Sequence, residues 1–530
     1  MKMRTWEDFK RSVYYSPKNR FMLDWEGMGF DEKYLASMEE KIVKALLGMK
    51  KLDAGEIVNA DEGRMVGHYW LRAPETAPTE ELTKEIVACL ESIKTFVGNV
   101  HSGKILSGNG KKFKNVIVAG IGGSSLGPMF VDRALTAPDD KMKLFFMDNT
   151  DPDGMDRVFA GVKDELDETM TVVISKSGGT IETRNCLEEA RIFYSENGLD
   201  FAKYAVCVTG IDSKLYNVAK NENWLGIFPM WDWVGGRTSV MSAVGLVPLA
   251  LKGIDIDGFL KGAADCDEMN RNDNVMENPA AVMALAWYQC SGGVGGETMV
   301  ILPYKDTLDL FAKYLQQLIM ESLGKEYDLD GKLVKQGLAV LGNKGTSDQH
   351  SYVQQLVGGP DNIFVVFVQV LKDREGSSKI IGENSTSGDY LNAFMLGTKR
   401  ALEDHGKRTM TITVPQVDAY HVGQLIAVFE RAVGIYAELI NINAYHQPAV
   451  EYGKKAANGL IEVKNKAYEV LKATGKAMTA DELAAAVGAE AEDVFRLMFH
   501  LAQNRDDLTM TFADIITDST FAFSEQKCKN

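Results

Sequence analysis

Short unbroken apolar runs alternate with helix-like segments through most of the first half of this chain. The runs at 116–120, 143–147, 170–174 and 204–208 carry four or five β-favouring residues without polar alternation. That pattern predicts strands buried on both faces, and the intervals suit βαβ units around a parallel sheet. A second α/β region is expected from about residue 280, with strands at 298–302 and 362–368 and a helix over about 307–323 between them. Residues 1–95 read as helical and charged, as in Glu39 to Leu47, and from about 416 the chain turns helical again. The last stretch is different. Thr479 is an N-cap candidate before an amphipathic segment, Glu492 to Gln503 forms a second helix, and two short β-like pieces follow, in the outline of a small winged-helix unit. The expected fold is α/β, with parallel sheets flanked by helices and with helical N- and C-terminal additions. Its divisions are 1–95, 96–270, 271–450, 451–475 and a small accessory unit at 476–530. No solenoid-like period is present.

Two strand ends stand out. Val116-Ile117-Val118-Ala119 runs into Gly120-Ile121-Gly122-Gly123-Ser124-Ser125, and a helix-like segment follows. Small residues at a strand-to-helix turn leave backbone N–H groups and the positive end of the helix dipole open to an anion. The loop lacks the lysine of a GxxxxGK[ST] nucleotide loop, and Pro128 stands where a dinucleotide fingerprint needs continuous helix. A monophosphate ester is the expected ligand. The run Met170 to Ile174 ends likewise in Ser175-Lys176-Ser177-Gly178-Gly179-Thr180, ahead of a helix from about Ile181 to Arg191. An ordinary βα turn also uses glycine and an N-cap hydroxyl. Two such loops in neighbouring units favour the anion site.

Composition changes the picture little. At 530 residues the chain exceeds one usual core, so two large domains are expected. The net charge of −16 argues against a sequence-independent nucleic-acid binder. No stretch reaches membrane-spanning length, and the first residues lack the apolar run of a secretory signal. The six cysteines are scattered without a CxxC pair, which points to a reducing cytoplasm and away from structural zinc or a disulfide framework.

Further chemistry is spread along the chain. Gly235-Gly236-Arg237 lets the main chain approach a ligand while the guanidinium reaches it. Gln317 and Glu321 are four apart and share a helix face. Leu315, Leu318, Ile319 and Met320 make that helix apolar on several sides. A carboxylate buried there would rise from a pKa of about 4.3 toward the range useful to a base. The plainer alternative is a Glu321–Lys325 pair near the helix end. His350 closes the polar loop Gly342 to Gln349 as a candidate acid–base group, although taken alone a capping or hydrogen-bonding histidine is the favoured reading. Gln447 precedes Pro448, a residue suited to a first helical turn, and Lys454 lies seven further on.

Taken in order, these pieces resemble the glucose-6-phosphate isomerase family from about residue 60 to 460. The resemblance rests on Gly122-Gly123-Ser124, Ser175-Lys176-Ser177, Gly235-Gly236-Arg237, Gln317 with Met320-Glu321-Ser322, Gln349-His350, and Gln447 with Glu451 and Lys454. The loop 342–350 and Asn443 to Pro448 are similar to the cyanobacterial and plastid-like branch. Two departures stand out: Thr238 replaces an aromatic after the arginine, and Gly179 replaces a threonine, leaving Ser175, Ser177 and Thr180 as hydroxyls.

The resemblance implies two sugar-isomerase (SIS) domains and a homodimer whose shared cleft receives His350 from the partner chain. It implies a cytoplasmic enzyme of glycolysis and gluconeogenesis with no cofactor or metal and no nucleic-acid or membrane partner. Gly123, Ser124, Ser175, Lys176, Ser177 and Thr180 would hold the phosphate, with Gln317 and Gln447 orienting the substrate. Glu321 would move the proton between C2 and C1, Arg237 would stabilise the enediolate, and His350 and Lys454 would serve ring opening. A glutamine-dependent glucosamine-phosphate synthase is excluded, because Lys2-Met3-Arg4 follow Met1 where that enzyme needs a cysteine nucleophile. A bifunctional isomerase also acting on mannose 6-phosphate, and a sugar-phosphate-binding regulator of the same fold, stay as alternatives.

Overall fold

The computed structural model describes residues 5–524, the side chain of Glu451 excepted; Met1 to Arg4 and Cys528 lie outside the described residues. Two compact units divide at His446/Gln447.

In the first unit, the apolar runs become a five-stranded parallel sheet ordered Lys143–Met147, Asn115–Ala119, Thr169–Ser175, Ala205–Thr209, Gly226–Pro229. Every residue of Asn115–Ala119 and Thr169–Ser175 is buried, as continuous β-branched stretches require. Ala119 pairs with Val173, so the two glycine-serine loops leave neighbouring strands at the same edge of the sheet.

The second sheet has six strands: Val13–Ser16, Phe21–Asp24, Arg408–Val414, Ile363–Val370, Thr298–Pro303 and Ala339–Gly342. The last four are parallel, and the first two form a hairpin added antiparallel onto Arg408–Val414. The N-terminal segment, read as helical, therefore also contributes an edge to a sheet nearly four hundred residues away in sequence. Arg408–Val414 was not among the expected strands. Its threonines alternate with apolar residues as in a half-exposed strand, yet Thr409, Thr411 and Thr413 are all buried. Thr409 donates to Glu403 and Thr413 to Gln369, whereas the buried Thr411 hydroxyl has no hydrogen-bond partner among the described residues.

One continuous core runs from Phe21 to Ala444. Inside it lies a sealed ionic network. Asp267, on the helix Ile256–Met269, meets Arg72 at 2.9 Å and Arg431 at 2.6 Å. Arg72 also reaches Glu430, and Arg431 reaches Asp53 at 2.9 Å. For Asp267 the arginines outweigh burial and hold the carboxyl low, whereas burial of Glu430 outweighs Arg72 and raises its carboxyl to about 7.

The second unit has its own core, around Ala467, Leu471, Leu483, Val494, Met498 and Phe521. The long helix Pro448–Thr474 leads into Ala480–Val487 and Ala491–Asn504. Thr479 caps the second of these in a reciprocal capping box with Glu482. Three short strands, Met478–Thr479, Thr520–Phe523 and Leu508–Thr511, close the unit as an antiparallel sheet, one strand more than expected.

Candidate active site

The loop after Asn115–Ala119 turns through Gly122–Ser124 and enters the helix Leu126–Leu135, with Pro128 tolerated in its first turn. Gly123 packs directly on the loop that carries Arg237. A Cβ there would lie 1.9 Å from the carbonyl oxygen of Gly236, so only glycine permits the approach. Gly122 has φ +60°, and a Cβ on it would lie 3.1 Å from Nε2 of Gln317. The glycine-serine loop, the arginine loop and the carboxylate helix therefore meet.

That helix is not regular. Phe311–Leu315 is α-helical, but Gln316–Glu321 is wound as a π-helix, a form that concentrates at functional sites. The wider turn brings residues four apart nearly over one another, and Nε2 of Gln317 donates to Oε2 of Glu321 at 3.1 Å. Leu315, Leu318 and Ile319 go into the core, while Met320 and Glu321 emerge. The expectation of a fully buried carboxylate is therefore corrected: the Glu321 side chain keeps 25% of its surface exposed.

Arg237 approaches the same oxygen, with Nη1 3.4 Å from Oε2 of Glu321. Its Nε donates to the Ser322 hydroxyl at 2.7 Å, and Nη2 donates to the carbonyls of Ala444 and His446. Burial pulls the guanidinium below the ordinary arginine range, and Glu321 opposes that shift. The plainer pairing of Glu321 with Lys325 does not form. The Lys325 ammonium instead donates to the backbone carbonyls of Glu321 and Ser322, at 2.8 and 2.7 Å.

In the second loop, Ser175 and Thr180 place their hydroxyls 3.4 Å apart, and Ser177 accepts the Gly179 N–H at 3.1 Å. Thr180 stands at the N-cap of Ile181–Glu196 without capping it through its side chain. A Cβ at Gly179 would meet only Ser177 Oγ at 3.6 Å, so the missing threonine reflects no lack of room. Lys176 donates to the carbonyls of Asp232 and Val234, at 2.9 and 3.1 Å. Burial pulls its pKa down against the raising effect of Asp232, and the amine fastens the second loop to the arginine loop. Thr238, the other departure, satisfies its hydroxyl on the Gly235 carbonyl at 3.3 Å.

The remaining candidates lie on other elements. His350 is exposed at the end of the turn Ser347–His350, and no hydrogen bond or ion pair among the described residues joins it to Glu321 or Arg237. The neighbouring Gln349 is held on Thr398. Gln447 occupies the N-cap of Pro448–Thr474 in the second unit, and Lys454 lies on that helix, exposed. The sequence reading gave no role to Ser322 or to the carbonyls of Ala444 and His446. Only Ser322 had a signal, its place beside Glu321.

Comparison with known proteins identifies the family. The phosphoglucose isomerase family model matches residues 31–473. A glucose-6-phosphate isomerase of Desulfitobacterium hafniense (strain Y51) is 54% identical over 503 residues, covering 94% of each chain. One from Synechococcus elongatus is 50% identical over 508 residues, covering 96% of each. The crystal structure of a glucose-6-phosphate isomerase from Chlamydia trachomatis superposes with a TM-score of 0.79 at 25% identity, covering 87% of this chain and 92% of that one. With its glycine-serine loop, Arg237 and Glu321 drawn together, the chain belongs to the phosphoglucose isomerase family.

Proposed function

We propose that this enzyme interconverts glucose 6-phosphate and fructose 6-phosphate, a step of glycolysis and gluconeogenesis, with Glu321 as the base that moves hydrogen between C2 and C1. The observation that carries the assignment is the convergence of Gln317 and Arg237 on Oε2 of Glu321, beside the glycine-serine loop. Ser124, Ser175, Ser177 and Thr180, with the backbone of Gly123, hold the phosphate, and that remote binding energy orients the sugar carbons. Lys176 supports the phosphate site by bracing its loop.

The ring opens first, with His350 and Lys454 serving the ring oxygen and the C1 hydroxyl. The Glu321 carboxylate then takes the C2 proton. The freed electron pair forms the C1–C2 double bond, and the carbonyl π electrons move onto O1. Arg237, pre-oriented by Ser322 and two carbonyls, stabilises that developing oxyanion. Transfer of the O2 proton to O1, with return of the C2-derived proton from Glu321 to C1 and the C1–C2 π electrons forming the new C1–H bond as C2=O2 forms, gives the ketose. Gln317 and Gln447 orient the reacting groups.

The active form in this reading is a homodimer in which His350 serves the neighbouring subunit's site, as its exposed position, apart from Glu321, supports. Free Cys89, Cys186, Cys207, Cys266 and Cys290 support a reducing cytoplasm. Formation of glucose 6-phosphate from fructose 6-phosphate, read through a coupled dehydrogenase, tests the activity, and no product would refute it. Mannose 6-phosphate in the same assay tests the broader specificity. For the dimer, inactive Glu321→Gln and His350→Ala proteins, unfolded and refolded together, are expected to regain activity by forming one intact site per mixed dimer. No recovery would place His350 in its own subunit's site.

A further inference from the structure

Lys325 has no part in the reaction as derived above, yet it is only 6% exposed and its ammonium lies beside the two residues that carry Glu321 and the Arg237 brace. Helix ends ordinarily leave their last carbonyls to water or to a glycine-terminated turn. Gly324 already provides part of such a turn, donating to the Met320 carbonyl at 2.8 Å. The carbonyls of Glu321 and Ser322 are instead both taken by one buried cation, at 2.8 and 2.7 Å. Arg237 grips the same two residues through their side chains.

This arrangement has a cost. Burial, together with the like charge of Arg237, pulls the Lys325 amine down to about 7, and Glu321 opposes the shift. A neutral side chain of similar volume would fill the space without that penalty. What the amine adds is a fixed point at the end of the π-helical turn, held on two backbone carbonyls.

We infer that Lys325 is a positioning residue of the isomerase: by holding the Glu321 and Ser322 carbonyls, it fixes the π-turn so that the Glu321 carboxylate stays aligned with Arg237 and the substrate carbons. This inference rests on the reading of Glu321 as the base. Such a residue acts on the transition state, so its loss lowers kcat and leaves phosphate binding nearly unchanged.

The test measures steady-state kinetics of the full chain carrying Lys325→Met, Lys325→Gln or Lys325→Arg, each alone and combined with Glu321→Gln. For Lys325→Met the expected result is a fall in kcat of about 10–100-fold, the scale of a misplaced catalytic group, with KM within about threefold. Lys325→Arg, which keeps the cation, recovers most of that loss. In the Glu321→Gln background, Lys325→Met costs almost nothing further, because the two residues act as a unit. If Lys325→Met does not fold, Lys325→Gln carries the same readout. An equal kcat loss in both backgrounds, or a raised KM with kcat intact, overturns the inference and leaves the base assignment standing. Full turnover by Glu321→Gln alone overturns the base assignment, and this inference with it.

Discussion

Two arginine–carboxylate clusters lie within the first unit, built from the same residue types and enclosed to different degrees. Around Asp267, the side chains of Arg72, Arg431, Asp267 and Glu430 are each at most 2% exposed, and each charge is closed off by another protein charge. Around Glu321, the guanidinium of Arg237 is equally sealed at 4%, but its carboxylate partner keeps a quarter of its surface open. The arginines differ little. What separates the clusters is whether the carboxylate is fully enclosed. A surrounded carboxylate serves cohesion between elements far apart in sequence, whereas one approached on a single oxygen can still meet a substrate.

Substitutions should separate the two clusters. Glu321→Gln keeps the shape and the hydrogen bond to Gln317 but cannot accept a proton. The expected loss in kcat is about 10²–10⁴-fold with little change in melting temperature, and near-normal turnover would end the contrast. Asp267→Asn should do the reverse. Breaking a buried pair by removing one partner costs about 3–5 kcal/mol of stability, while kcat per folded molecule stays the same. Denaturant melts and active-site titration check both halves.

The same cluster has a pH signature. Burial acts to raise the Asp267 carboxyl, but Arg431, Arg72 and Arg271 outweigh it and hold the group far below the usual carboxylate range. A carboxyl depressed in the fold contributes its full stability above its unfolded value of about 3.9 and loses that contribution as the pH falls below it. Asp267→Asn should therefore flatten the acid limb of the stability curve. The smallest of these effects is expected for Arg237→Ala, about 10²–10³-fold in kcat, exceeding any rise in KM. A raised KM with intact kcat would show that Arg237 binds substrate and transition state alike.

The apolar runs at 116–120 and 170–174 announced their strands because strands covered on both faces need no polar alternation. Thr479 announced its helix because a capping box is local. The strand Arg408–Val414 and the N-terminal hairpin escaped notice, since their places depend on pairing with distant partners that no short window contains. At the site, the four-residue spacing of Gln317 and Glu321 was legible. The π-winding that makes it a hydrogen bond, and leaves the carboxylate partly open, was not. Lys325 sits four residues after Glu321 and was read as its ion-pair partner. Its ammonium goes to backbone carbonyls instead, a choice set by which side of the turn faces the core.

The sequence by itself determined the chemical repertoire: hydroxyls and glycines after two buried strands, one arginine behind two glycines, and one glutamate on an apolar helix. Those are local facts of residue type and spacing. Tertiary structure alone decided that Arg237 would brace against Ser322, 85 residues away, and against the carbonyl of Ala444, 207 residues away. The same packing set Gly123 against Gly236. Side chains acquire a direction only when the elements carrying them pack, and the open oxygen of a carboxylate is a property of that packing.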